Sequence, residues 1–287
     1  MFIERLTIIG VGLIGGSLAC ALRKQGVCGE VVGCGRNIEN LQRGVDLGVI
    51  DRYDTDPARA VTGADVVVIA VPLGGFAGVF QAIRDAVNPS VILTDVGSAK
   101  GSVVNDAKQH LSPALYSRFV PAHPIAGTEK SGVAAAFAEL FVKRKIILTP
   151  HEQTDADACD YISTLWQYTG AEVVTLSVEH HDRVLAATSH LPHVLAYNLV
   201  NTLAQMDEQA DVFQFAAGGF RDFTRIASSD PTMWHDICLA NREAILAILA
   251  RYQQHLNELS HAIKTGQSET ILTAFKQAKN TRDAFFG

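Results

Sequence analysis

Leu6-Thr7-Ile8-Ile9-Gly10-Val11-Gly12-Leu13-Ile14-Gly15 opens the chain with an apolar, β-branched run that ends in a GxGxxG pattern, and a helix-compatible segment, 17–22, follows at once. That context gives the pattern its weight, because a glycine-rich turn alone would be a blander reading. Gly10 permits a tight turn, Gly12 lets a pyrophosphate approach the main chain, and Gly15 lets helix and strand pack closely. The helix N-terminus, with Leu13 and Ile14 in its first turn, offers unpaired N–H groups and a partial positive charge to phosphates. The stretch therefore predicts a dinucleotide site on a strand–turn–helix unit.

Outward from this unit, strands are expected at 6–9, 31–33, 66–70, 91–94, 119–121, 146–149 and 173–176, separated by helix-compatible stretches. The alternation predicts an α/β, Rossmann-type domain with a parallel sheet. The runs at 66–70 and 146–148 are almost continuously apolar, as strands covered on both faces are. After about residue 177 the β-branched runs stop. The reading is a dinucleotide-binding domain at 1–176 and an all-α substrate and dimerisation domain at 177–287. One helix is expected over 233–264, with Ile237, Ile245, Ile248, Tyr252, Leu256, Leu259 and Ile263 on a single stripe. It would be roughly 45 Å long. A second subunit is the natural cover for such a stripe, and packing on the nucleotide domain is the alternative.

The chain has 287 residues, 48% hydrophobic and 19% charged, which suits two globular domains. Its net charge of −6, with no basic block, argues against nucleic acid or an anionic membrane surface as a partner. The five cysteines are odd in number and form no CxxC pair, so reduced thiols in a cytoplasmic protein are expected. Segment 6–22 is uncharged, but its glycines break any signal helix and Glu4 spoils a basic leader. Segment 66–80 is too short to span a bilayer and contains Pro72, Gly74 and Gly75. No export and no membrane span are expected.

The second predicted strand ends in Cys34-Gly35-Arg36-Asn37, where an NAD site usually carries Asp or Glu. Arg36 stands 21 residues after Gly15, close to the expected spacing of about 20. A guanidinium there can pair with a 2′-phosphate. This leans toward NADP and leaves NAD open, since a solvated arginine at a strand end is common.

Other polar residues gather at predicted strand ends and helix junctions, where open α/β sheets bind ligands. They are Asp95-Val96-Gly97-Ser98-Ala99-Lys100-Gly101, the segment from Ala122-His123-Pro124 through Gly127-Thr128-Glu129-Lys130-Ser131-Gly132, Ser189-His190-Leu191-Pro192-His193, and Gly218-Gly219-Phe220-Arg221-Asp222-Phe223-Thr224-Arg225. His123 falls between a strand and a proline, on a loop, and its side chain suits proton abstraction near neutral pH. Ser98 can donate and accept at once, or cap a helix starting near Ala99. His190 and His193 share a helix face, and Pro192 between them would distort or begin that helix. A metal set that adds His180 and His181 lacks an HExxH or cysteine partner, so no metal is expected. Phe220, Phe223 and Ile226 argue against a fully solvated loop around Arg221 and Arg225.

Taken in order behind the glycine-rich loop, these segments resemble the prephenate and arogenate dehydrogenases over essentially the whole chain. The resemblance implies NAD- or NADP-dependent oxidation and decarboxylation of prephenate, or arogenate, on the route to tyrosine. It implies that His123 accepts the ring-hydroxyl proton as hydride leaves, that Ser98 bonds that hydroxyl and orients the base, and that His193 contacts substrate or product. His190 is expected on the cofactor-facing wall, with Gly10, Gly12, Leu13, Ile14, Gly15 and Arg36. Arg225 first, and Arg221 second, are expected to hold a substrate carboxylate, which a guanidinium can do in bidentate fashion. Lys100, Thr128, Glu129 and Lys130 are expected to line or gate the cleft. The uncovered stripe of the long helix leads to the expectation of a homodimer through the C-terminal helices; no appended regulatory or mutase domain is expected. A β-hydroxyacid-type dehydrogenase would share the glycine loop and helical half but depend on a catalytic lysine in that half, which has no obvious candidate. A non-catalytic NADP-sensing module would need the glycines without His123, Ser98, His193 and Arg225 together.

Overall fold

Strands β1 (Ile3–Ile9), β2 (Cys28–Cys34), β3 (Arg52–Asp54), β4 (Val66–Ile69), β5 (Ile92–Asp95) and β6 (Phe119–Val120) form one sheet in the order β3-β2-β1-β4-β5-β6, every pair parallel. This computed structural model describes residues 1–128 and 130–286, without the side chains of Gln209 and Phe286, so Glu129 lies outside the described residues. The strand order is that of the doubly wound dinucleotide fold, with its reversal between β1 and β4 and its crevice at the strands' C-terminal edge.

The apolar strands are explained by alternation with both faces covered. Leu6, Ile8, Val31, Val66 and Val68 enter one apolar cluster, with Leu18 and Leu22 of the helix Leu13–Lys24 and with Trp166. Ile9, Val32, Val67 and Ile69 point the other way, onto Phe76, Phe80 and Val103. Successive residues of one strand thus fill two cores, and no polar face is left to show an alternating pattern.

A smaller sheet holds β7 (Ala122–Pro124), β8 (Lys145–Leu148) and β9 (Glu172–Thr175), with β7 antiparallel to β8 and β9 parallel to it. The strand expected at 119–121 is observed at Phe119–Val120 in the large sheet, and the chain passes directly into the second sheet at Ala122. Pro121, which cannot donate to a ladder, stands at the switch. Short, charged β3 carries no apolar signal and was not expected.

From residue 178 on the chain is helical, but the helix expected over 233–264 is two. The helix Pro231–Ala240 stops at Asn241, whose backbone leaves helical geometry (φ −112°, ψ 33°), and Arg242–Lys264 begins anew. The Asn241 amide accounts for the break: it donates to Asp182 O at 2.9 Å and meets His190 Nδ1 at 3.1 Å. The second helix is about 35 Å long rather than 45 Å. By packing, the chain divides into Met1–Arg242 and Glu243–Gly287. The change from strands to helices near 176 is therefore a change of secondary structure inside the first unit. The second unit turns at Gly266 (φ 66°) into the helix Ser268–Phe286 and leaves Leu256, Ile263, Leu272 and Phe275 exposed. No helix among the described residues is long and apolar enough to cross a membrane.

Where β5 ends, Asp95 and Lys100 form an ion pair with both side chains fully buried. Lys100 Nζ also donates to Ala122 O at 2.8 Å, while Asp95 accepts from Ala122 N at 3.1 Å and Gly97 N at 2.7 Å. Burial pushes the Asp95 carboxyl up and the Lys100 ammonium down, and each is opposed by the partner's charge. Lys100 thus clamps the backbone and does not line the cleft, as had been expected of it. Its amine is turned inward because an unpaired Asp95 there would be too costly. Lys100→Met is expected to lose about 3–5 kcal/mol of unfolding free energy in urea titration, and pairing it with Asp95→Asn should return much of that loss.

Candidate active site

The glycine-rich turn lies between the ends of β2 and β4: Gly10 N donates to Cys34 O at 2.8 Å, and Ala70 N donates to Ile9 O at 2.7 Å. Gly10 adopts φ 103°, and a Cβ there would fall 2.2 Å from Ala70 O. A Cβ on Gly15 would fall 2.6 Å from Gly10 O and 2.7 Å from Ile8. Both glycines are demanded by the fold. Gly12 is different, because its Cβ would meet nothing within 4 Å. It stands at the N-terminus of Leu13–Lys24, which no side chain caps, so first-turn N–H groups are left for a ligand. Asn40 holds this loop from the side, donating to Val11 O at 2.7 Å. A cleft of about 1060 Å³ opens here, bounded among others by Gly10, Gly12, Arg36, Asn37, Thr232 and Asp236. An uncapped helix end, a glycine open to space and an elongated cleft fit a dinucleotide.

Beyond the sheet's C-terminal edge lies a chain of imidazoles. His123 sits on β7, next to the clamped Ala122, rather than on a loop; it is 8% exposed. Its Nδ1 is 2.8 Å from His181 Nε2, and His181 Nδ1 is 2.8 Å from Asp182 Oδ1. Both residues lie on the helix Val178–Leu185, which Ser177 caps. Asp182 in turn accepts from the backbone N–H groups of Lys100 and Gly101, each at 2.8 Å, at the start of the helix Lys100–His110. Burial alone would raise the Asp182 carboxyl, but hydrogen bonds from His181, Lys100 N–H and Gly101 N–H outweigh it and hold it below its ordinary value. Burial, together with His181, Lys100 and His190, holds His123 well below the ordinary histidine value. A neutral imidazole, able to accept a proton, is the result.

Ser98 does not cap Lys100–His110, because Asp182 performs that task from a distant helix; the Ser98 hydroxyl makes no hydrogen bond among the described residues. His190 is 1% exposed and is not on the cleft wall, contrary to expectation. It lies in a π-helical turn, Ala186–His190, just before Pro192, and contacts Asn241 and the edge of Trp234; burial lowers its pKa to about 4. Pro192 explains the turn, since it cannot donate the α-helical bond to residue 188. His193 stacks on Trp234 with ring centres 3.5 Å apart and bonds Ser189 O at 2.8 Å. Burial lowers its pKa, and nearby Arg225 adds to the shift, so these two expected residues are neighbours. Arg221, Thr128 and Lys130 are exposed, as is Phe223, whose ring therefore does not shelter the arginines. Sequence reading missed Asp182, Asn241, Trp234 and Asp236. The last lines the cleft and accepts from Gly74 N at 3.2 Å. An isolated carboxylate or amide on a helix carries no spacing signal. His181 carried one, as a metal candidate, but both its ring nitrogens are committed to side chains.

Family models described as "Prephenate dehydrogenase, nucleotide-binding domain" and "Prephenate dehydrogenase, dimerization domain" match residues 18–175 and 177–277. Cyclohexadienyl dehydrogenase of Zymomonas mobilis is 37% identical, covering 97% of this chain and 95% of that protein. Prephenate dehydrogenase of Bacillus subtilis is also 37% identical, covering 98% of this chain and 76% of its own length. The solved structure of prephenate dehydrogenase from Aquifex aeolicus, in complex with hydroxyphenyl propionate and NAD⁺, superposes with a TM-score of 0.92 at 36% identity over 99% of both chains.

The three glycines separate fold from ligand experimentally. Gly12→Val should leave the melting temperature of the ligand-free protein near that of the parent while weakening dinucleotide binding by about tenfold or more in calorimetry. Gly10→Ala should instead lower stability, by on the order of 3 kcal/mol.

Proposed function

This chain belongs to the prephenate dehydrogenase family, and on that premise we propose that it oxidises and decarboxylates prephenate, or its amino counterpart arogenate, in tyrosine synthesis. It is an oxidoreductase that uses a nicotinamide dinucleotide. The observation that carries the reading is His123: a buried, neutral imidazole held at the C-terminal edge of a sheet whose glycine-rich turn opens a dinucleotide cleft.

Gly10, Gly12, Leu13, Ile14 and Gly15 would hold the pyrophosphate, and the bound nicotinamide supplies the acceptor for the hydride that leaves the substrate's carbinol carbon. The chain's own residues do the rest. His123 takes the hydroxyl proton as the C–H bond breaks, with Ser98 bonding the same oxygen. The ring carboxylate departs as carbon dioxide, its bonding electrons complete the aromatic ring, and the resulting phenolate takes the proton back. Arg225, beside His193, is assigned the substrate carboxylate, with Arg221 as a second contact. The cleft lining supports a lean toward NADP through Arg36, because the tip of β2 offers Cys34, Gly35, Arg36 and Asn37 and no carboxylate for a ribose hydroxyl. A homodimer through the C-terminal helices is supported by the family description of that region and by the exposed Leu256, Ile263, Leu272 and Phe275. A cytoplasmic location is in keeping with five free cysteines.

Purified protein should reduce NAD⁺ or NADP⁺ in at least one arm of a two-by-two assay with prephenate and arogenate; silence in all four arms, with dinucleotide still bound, would sink the reading. His123→Asn should lower kcat by about 10²–10⁴-fold and leave dinucleotide affinity unchanged. Because the base works when neutral and its folded pKa is depressed, kcat/KM should fall only as pH drops through a midpoint below the ordinary value of about 6.5. An acid limb centred above that value would contradict the assignment of His123 as the base.

A further inference from the structure

We infer that His181 and Asp182 set the tautomer of His123, so that Nδ1 carries the hydrogen and Nε2 carries the lone pair that receives the substrate proton. The inference deepens the function proposed above and rests on His123 being the base. It assigns His181 and Asp182 as positioning residues, acting through His123 and not on substrate.

The assignment follows from counting donors. Asp182 faces three nitrogens: Lys100 N and His181 Nδ1 at Oδ1, and Gly101 N at Oδ2, each at 2.8 Å. Two of them are backbone groups that can only donate. Those two donors and the partial positive charge of the helix Lys100–His110 hold the carboxyl as an anion, and an anionic carboxylate can only accept. His181 Nδ1 must therefore bear a hydrogen. The ring of His181 is fully buried and burial holds its pKa down, so it is neutral and its Nε2 has a lone pair. His123 Nδ1, 2.8 Å away, can satisfy that lone pair only by donating. Nε2 of His123 is left as the accepting nitrogen, and it has no partner among the described residues.

The ionisable groups around the pair pull both ways. Burial, His181, Lys100 and His190 disfavour a charge on His123; at His181, burial and Lys100 disfavour a charge and outweigh Asp182 and Asp95, which favour one. When His123 gains its proton, the nearest compensating anion along the hydrogen-bonded path is Asp182, reached through one imidazole. This is the logic by which a buried carboxylate orients a catalytic histidine in hydrolases, lengthened by one ring. Asp182 also caps a helix, so its replacement would confound position with folding. His181 is the cleaner site.

Protein labelled with ¹⁵N-histidine should show, in long-range ¹H–¹⁵N correlation spectra at neutral pH, His123 with a protonated Nδ1 and a bare Nε2. In His181→Phe, which offers no acceptor, that signature should be lost. With dinucleotide affinity and melting temperature as controls, kcat of His181→Phe should fall about 100-fold with KM within about twofold. His181→Gln, whose amide oxygen can accept from Nδ1, should restore both the signature and most of kcat. A wild-type His123 protonated on Nε2 overturns the inference, as does a His181→Phe enzyme of undiminished kcat. If His181→Phe does not fold, the wild-type spectrum and the His181→Gln enzyme decide alone. Should the wild-type protein turn over none of the four substrate and cofactor pairs, the functional reading falls, while the tautomer is still read from the spectrum.

Discussion

The buried pair of Asp95 and Lys100 is the constraint on which the site depends. Between them the two side chains engage both polar groups of the Ala122 backbone, the N–H through Asp95 and the carbonyl through Lys100. Ala122 is the first residue of β7, after the chain leaves the large sheet at Pro121, and it pairs with Leu148 of β8. Two charges removed from water tolerate little displacement, since separating them would leave each uncompensated in an apolar interior. Burial here costs stability and returns position. The residue held next to the clamp is His123.

Asp182 connects that clamp to the helical part of the first unit. One carboxylate caps Lys100–His110, orients His181 and shares its backbone carbonyl with Asn241. The interruption at Asn241 follows from the same cluster. An asparagine inside a continuous helix would spend its side chain on solvent, whereas at a break its amide spans the Asp182 carbonyl and the His190 ring. Nothing in the 3.6-residue periodicity around it announces the interruption, because the apolar stripe continues on both sides.

This explains what was legible in the sequence. The glycine turn could be read because its requirements are those of the backbone: a positive φ at Gly10 and a close approach at Gly15 admit one residue type. The doubly buried strands could be read because their whole length is apolar. His123, Arg225 and His193 were singled out through the segments around them, and the structure sets His123 against His181 and Arg225 near His193. Lys100 was misplaced because a lysine in a polar loop looks like a ligand contact, and its partner Asp95 looked like part of the same loop. Ser98 looked like a cap because local capping is the common case, and sequence does not reveal that a carboxylate 82 residues away supplies the cap instead. Short, charged β3 and the passage from β6 to β7 at Pro121 are set by pairing partners, which periodicity does not report.

Two of the helix N-termini at the sheet's C-terminal edge, those of Lys100–His110 and Leu13–Lys24, show how one fold separates ligand from scaffold. Each has a positive end that favours an anion. At Lys100–His110 the protein supplies that anion itself, from Asp182, and so removes the terminus from competition for phosphate or carboxylate. At Leu13–Lys24 no side chain caps the end, and Gly12 leaves open space before it. The same reasoning applies to an anionic substrate near His123: the adjacent helix end is already neutralised and Asp182 repels further negative charge. The arginine that perturbs His193 is the guanidinium to which the proposed function assigns a substrate carboxylate.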